Sequence, residues 1–235
     1  MAHKIYLHIG HGGSDSGAVG QNSLEKDITL EIGLKAEAAL VSAGFKVLMS
    51  RTTDVKNQNA SASANSWGAQ LVLSIHCNSY TDQSASGTET LIYGRGGTAE
   101  QFANILQRAA VKAMGTKDRG VKVQNVEILR ETTAPAALLE CAFISNLSDE
   151  KKLMDAKYQQ AIANAIVSAC LEFFDKEAKS DMDYESHWAK EYIDRAIAYG
   201  IMVGDGDGSF RPNDNLTRAE AAVIVCKIMD KIEGK

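Results

Sequence analysis

No apolar run in these 235 residues approaches the ~18 that a helix needs to cross a bilayer. The opening MAHKIYLHIGHGG lacks a charged start followed by a long apolar core. No secretory signal is visible, and synthesis in the cytoplasm is the expectation. Positive charge is also scarce. The formal net charge is −5, which argues against a protein that tracks nucleic-acid phosphates. Dividing the chain after Asp183 leaves 18 basic against 21 acidic residues before the cut and 7 against 9 beyond it, so neither part is basic. Closely paired cysteines are missing too. Cys77, Cys141, Cys170 and Cys226 stand far apart, without the spacing of a zinc ribbon or redox motif. The last three lie in apolar runs, where cysteine is usually a small buried hydrophobe; Cys77, beside His76, has no such simple reading. With 45% apolar and 23% charged residues, the chain is neither disordered nor collagen-like. At about 150 residues per domain, it is one large domain or a medium one with a small companion.

Up to about Asp175, short apolar runs alternate with amphipathic stretches. Ile5–Ile9, Phe45–Met49, Leu71–Ile75, Thr90–Tyr93 and Ala137–Leu139 read as strands bounded by turn residues. Leu24, Ile28, Ile32, Ala36 and Leu40 recur at helical spacing, as do Tyr158, Ile162, Ile166, Cys170 and Phe173. Alternation of this kind predicts an α/β fold with a mostly parallel sheet flanked by helices. Lys176 to Asp183 is charged and polar and reads as a linker. Beyond it the pattern predicts a small all-α module: a helix from Trp188 to Tyr199, a Gly/Asp-rich loop, and a helix opening at Thr217. Thr217 and Glu220 have the spacing of a capping box.

Three polar residues stand just past apolar runs. His11 follows Ile5–Ile9 in a Gly-His-Gly-Gly turn, His76 follows Leu71–Ile75, and Glu140 follows Ala137–Leu139. Ligands of open parallel sheets bind beyond the carboxyl ends of strands. Glu25, opening the next helix, faces the same edge. Two histidines and a carboxylate form a ligand set for catalytic zinc, and a second carboxylate nearby could move a proton. Each residue also has a plain structural role. A histidine after a strand is commonly a loop residue, Asn22 and Glu25 have capping-box spacing, and Glu140 could pair with a surface base. Residues alone leave both readings standing.

The stretches IGHGGSDSGAVGQNSLEKD, SASANSWGAQLVLSIHCNSY, SGTETLIY and ALLECAFISNLSDEKKL resemble the zinc-dependent N-acetylmuramoyl-L-alanine amidases of the type-3 family, from about Ile5 to Phe174. The resemblance implies one zinc ion per chain on His11, Glu25 and His76, with Glu140 as the catalytic carboxylate. It implies hydrolysis of the amide between the lactyl group of N-acetylmuramic acid and L-alanine of the stem peptide. The chain departs from the family in two places. His8-Ile9 replaces the usual Asp-Pro, and Cys77 stands where a small inert residue is common. His8 is read as packed or solvated rather than as an extra ligand.

The segment HWAKEYIDRAIAYGIMVGDGDGSFRPNDNLTRAEAAVIVCKIM resembles one S-layer homology module, whose aromatic-x-Asp opening is imperfect here. The resemblance implies binding of a secondary cell-wall polysaccharide, with Trp188 and Arg218 as candidate glycan contacts. Ser209 and Leu216 at positions five and twelve from Asp205 fail the calcium-loop pattern.

The expectation is thus a zinc amidase domain over 1–175, a linker over 176–183 and a wall-binding module over 184–235. Such a protein acts on peptidoglycan after release, as an endolysin or a sporulation lytic enzyme does. It has no nucleic-acid partner and no membrane insertion. So small a helical module invites a homo-oligomer through residues beyond Tyr184. The alternatives are a zinc peptidase cutting within the stem peptide and a catalytically dead wall-binding scaffold.

Overall fold

The computed structural model describes residues 2–180, 184–204 and 210–233, and the side chains of these except for 176–180. The elements are β1 (Lys4–Ile9), α1 (Glu25–Ser42), β2 (Lys46–Met49), α2 (Ala60–Trp67), β3 (Leu71–Asn78), β4 (Thr88–Ile92), α3 (Thr98–Met114), β5 (Asp118–Val123), α4 (Glu127–Arg130), β6 (Ala136–Phe143), α5 (Leu147–Met154), α6 (Ala156–Ser180), α7 (Lys190–Ala198) and α8 (Arg218–Glu233). Among the described residues, no helix is long and apolar enough to cross a membrane. The chain divides into two compact units between Phe173 and Phe174.

In the first unit six strands form one sheet in the order β2-β1-β3-β6-β4-β5. Pairing is parallel except between β4 and β6, which matches the expected mostly parallel α/β fold. The central strands are apolar on both faces because helices cover both. Tyr6, Val72, Leu91 and Leu138 pack with Ala64 of α2 and with Ile128 and Leu129 of α4. Ile5, Leu7, Ile9, Leu71, Leu73 and Ile75 fill the opposite face and are fully buried.

All five expected strands are present, and two run further than their apolar stretches. β3 reaches Asn78 and β6 reaches Phe143, so His76 and Glu140 lie inside strands rather than past their ends. Cys77, Cys141, Ala142 and Phe143 remain buried, which keeps the ladder going. The Asn22–Glu25 capping box does not form. Helix α1 opens at Glu25 with Leu24 at the cap position and no side-chain cap. The Glu25 carboxylate is directed elsewhere, and the Asn22 N–H donates to Glu150. Helix α6 runs on to Ser180, so residues 176–180 of the expected linker are helical, while 181–183 lie outside the described residues.

The second unit carries α7 and α8. The Thr217–Glu220 box is present: Thr217 N–H and hydroxyl donate to Glu220 at 2.8 and 2.7 Å, and Glu220 N–H donates back at 3.2 Å. Between Tyr184 and Glu233 the buried described residues are Tyr184 and Ile193. No residue of α8 is buried. Cys226 is therefore exposed, unlike the buried Cys141 and Cys170 and the buried Cys77; all four thiols are free. Asp205, Asp207, Gly208 and Ser209 of the Asp-rich loop lie outside the described residues.

Candidate metal centre

The sheet order puts β1, β3 and β6 side by side at the centre. Along β3 the residues Val72, Ser74 and His76 share one face, and the register sets His76 beside Glu140 of β6. His11 leaves the end of β1 in a tight turn with φ +61°, a left-handed conformation that costs a non-glycine residue roughly 1–3 kcal/mol. Two glycines make room. A Cβ on Gly10 would meet the His76 ring at 2.6 Å, and one on Gly17 would meet His11 at 2.5 Å and Glu25 at 2.6 Å.

His11, Glu25 and His76 meet there, each offering one atom, all within 4.8 Å of one another. His11 Nε2 lies 3.1 Å from Glu25 Oε2, and His76 Nδ1 lies 2.9 Å from Glu25 Oε1. The carboxylate also accepts the N–H groups of Ala18 and Cys77, at 2.8 and 2.9 Å. Burial alone would raise the Glu25 pKa; the two histidines and the Cys77 N–H outweigh it and hold the carboxyl far below its usual range. Its bond to Glu25 in turn raises His11 to about 9 against the opposing effect of burial, with Asp15 adding to the rise. Two imidazoles and a carboxylate suit zinc with an open coordination position. The donors present fit that ion.

Several supporting residues escaped the sequence reading. Asp15 Oδ2 lies 3.0 Å from His11 Nδ1, the carboxylate–histidine arrangement that orients a ligating ring; its only sequence signal is a position four residues after His11. Buried Arg51 donates to the carbonyls of Gly10 and Lys26 at 3.0 and 2.6 Å. Thr29 donates to the Gly10 carbonyl at 2.8 Å, and Asn57 donates to the carbonyls of Ile9 and His11. These bonds pin the turn from below.

Glu140 is half-buried, and its Oε2 has no hydrogen-bond partner among the described residues. Burial, then the charges of Glu25 and Glu89, push its pKa up to about 8. His8 is outside the cluster. Its Nδ1 lies 2.7 Å from Ser74 Oγ, and burial, with His76, His11 and Arg51 nearby, lowers it to about 3, so the ring is neutral. A cavity of about 270 Å³ opens beside the cluster, lined among others by His8, His11, Asn57, Ser61, His76 and Ile128. Trp188, just ahead of α7, is 84% exposed, and Arg218, the first residue of α8, is exposed.

A family model described as N-acetylmuramoyl-L-alanine amidase matches residues 5–172. The chain belongs to the N-acetylmuramoyl-L-alanine amidase family. A second model, the S-layer homology domain, matches residues 183–222. The sporulation-specific N-acetylmuramoyl-L-alanine amidase of Bacillus subtilis is 38% identical over 165 residues, 68% of this chain and 64% of that protein. CwlM, an amidase of Bacillus licheniformis, matches to the same extent, so the chain spans just under two thirds of each. Among solved structures, the catalytic domain of the amidase CwlV from Bacillus (Paenibacillus) polymyxa superposes with TM-score 0.70 at 32% identity, covering 74% of this chain and 98% of that one. An amidase from Clostridium difficile 630 gives 0.72 at 32% identity, over 74% and 97%. In this family member the His-Glu-His cluster lies within the matched span, as do the sheet and its flanking helices except for Lys4 of β1 and the end of α6.

Proposed function

We propose that the chain is a peptidoglycan hydrolase that cleaves the amide between N-acetylmuramic acid and the L-alanine of the stem peptide. The observation that carries this is the convergence of His11, Glu25 and His76 within 4.8 Å, one strand away from the Glu140 carboxyl, whose Oε2 has no hydrogen-bond partner among the described residues. A zinc ion held by these three side chains would supply Lewis acidity, polarising the lactyl carbonyl and lowering the pKa of a water. Glu140 takes the proton that the attacking water gives up. Oxygen bonds to the lactyl carbon, the carbon–nitrogen bond breaks, and Glu140 returns the proton to the alanine nitrogen. The products are a lactyl carboxylate and a stem peptide with a free amine. Asp15 holds the His11 ring and Asn57 its carbonyl, while Arg51 and Thr29 hold the carbonyl of Gly10 before it. Arg51, unlike a solvated lysine, forks to several carbonyls at once.

In this reading residues 1–175 are the catalytic domain and 176–183 are the joining segment. Residues 184–235 bind the wall through a secondary polysaccharide, with Trp188 and Arg218 as the glycan contacts. Val223, Val225, Ile228, Met229 and Ile232 of α8 are all exposed, and a homo-oligomer formed through this module would cover them. The test is clearing of a suspension of purified wall by the full chain. Chelation is expected to abolish clearing and added zinc to restore it. Clearing that survives complete zinc removal would contradict the proposal.

A further inference from the structure

One face of the sheet carries a row of ionisable side chains. The register sets Glu140 beside His76 and Glu89 beside Glu140, and β5, the next strand outward, adds Arg119 and Lys122. Glu89 is buried. Its Oε1 accepts from Asn78 Nδ2 at 2.9 Å. Its Oε2 accepts from both Arg119 Nε, at 2.7 Å, and Lys122 Nζ, at 2.5 Å. Two cations on one carboxylate leave the cluster one net positive charge, within a chain that is −5 in total. One cation is enough to neutralise Glu89; the second is surplus to that task. The Arg119 guanidinium lies 4.7 Å from the Phe143 ring centroid, a stacking contact that limits its tilt. Both cations are partly open to solvent, at 28% and 43%. Arg119 gives one more N–H to the Ser86 carbonyl, at 3.5 Å. Its other guanidinium hydrogens and two of the Lys122 ammonium hydrogens have no protein acceptor among the described residues, so donors remain to be used.

We propose that Arg119 and Lys122 form an anion subsite for a free carboxylate of the stem peptide, on the leaving-amine side of the scissile bond. The assignment rests on the amidase reading above. Glu140 returns its proton to the alanine nitrogen, so the peptide leaves on the β6 side of His76. The cavity beside His8, lined by Asn57 and Ser61 and by Val126, Glu127 and Ile128 at α4, remains for the muramoyl group. Neighbouring strands are ~4.8 Å apart, which sets β5 about 10 Å beyond Glu140. An extended peptide covers ~3.5 Å per residue, so the pair reaches a group one or two residues past the alanine. A wall stem peptide carries a side-chain-linked glutamate there, whose α-carboxylate is free unless amidated.

The test uses the zinc-loaded full chain and two synthetic muramoyl tripeptides that differ only in that group, carboxylate or carboxamide. The acid is expected to be favoured in kcat/KM by about tenfold, the scale of one charge-assisted hydrogen bond, mainly through KM. Lys122→Met and Arg119→Gln should each move the ratio toward one, with zinc content and thermal midpoint checked for each protein. A second substrate pair, with diaminopimelate or lysine as third residue, tells which carboxylate is read. A native ratio near one for both pairs would overturn the subsite, and so would a preference that survives the double variant. Cleavage of no substrate at all would contradict the amidase reading itself, a separable result.

Discussion

Glu140 and the ligand set can each be tested one atom at a time. Glu140→Gln keeps the shape of the side chain and removes its proton chemistry. The variant should fold and hold zinc while turnover falls by roughly 10²–10⁴-fold; near-normal turnover would pass the proton role to another group. Asp15→Asn should leave the fold intact and weaken zinc by about 10–100-fold in a competition titration, because the amide no longer holds His11 as a carboxylate does. The pKa shifts set a pH dependence for the metal-free protein. Glu25 is held below its ordinary 4.5, so its stabilising contribution is full above that pH and fades as pH falls through the folded value. His11 is raised from 6.5 to about 9, so its contribution is full below pH 6.5 and is lost as pH rises through 9. Zinc must displace the His11 proton, so the rise in thermal midpoint on adding zinc should grow between pH 6.5 and 9. A zinc-induced rise that is flat over this range would contradict the linkage. His11, His76 and Glu140 were legible in the sequence because they follow apolar runs. Asp15 and Arg51 were not, since their bonds exist only once His11 takes its left-handed turn and Gly10 and Lys26 present their carbonyls together.

At the scale of elements, the apolar pattern found the central strands and the edge strand β2, and missed β5 at the other edge. β1, β2, β3, β4 and β6 each carry an apolar run, whereas β5 reads Asp-Arg-Gly-Val-Lys-Val. Such a charged edge strand resists pairing with another chain, and for that reason it gives no strand signal. Helix starts divided in the same way. Thr217 and Glu220 cap α8 as their spacing predicts. Asn22 and Glu25 have equivalent spacing, yet the Glu25 carboxylate is taken up by two histidines and two backbone N–H groups. Four strong partners at the site outweigh one cap bond. Two elements yield predictions. Thr217→Ala should destabilise α8 by about 1 kcal/mol, seen as lost helical circular dichroism on mild heating. In the loop before α1, Gly17→Ala would place a methyl group against both His11 and Glu25. It should cost zinc affinity while near-native secondary structure is kept; unchanged affinity would mean that the loop yields more easily than its contacts suggest.

For the whole molecule, the first unit has a deep core on both sheet faces, whereas between Tyr184 and Glu233 only Tyr184 and Ile193 are buried among the described residues. A module with so little interior gains from association, and several copies would raise the effective concentration on a repetitive polymer. Light scattering should find the full chain oligomeric at tens of micromolar and a chain ending at Ser180, which keeps α6 whole, monomeric. A full-length monomer that still pellets with wall would remove the oligomer and leave the wall binding. The central claim concerns which bond is cut, and mass analysis of the soluble products of a wall digest reads that directly. Amidase cleavage predicts intact stem peptides that begin with a free L-alanine amine, together with glycan bearing unsubstituted lactyl groups. New amines within the stem peptide, with L-alanine still joined to the glycan, would contradict it and identify a peptidase.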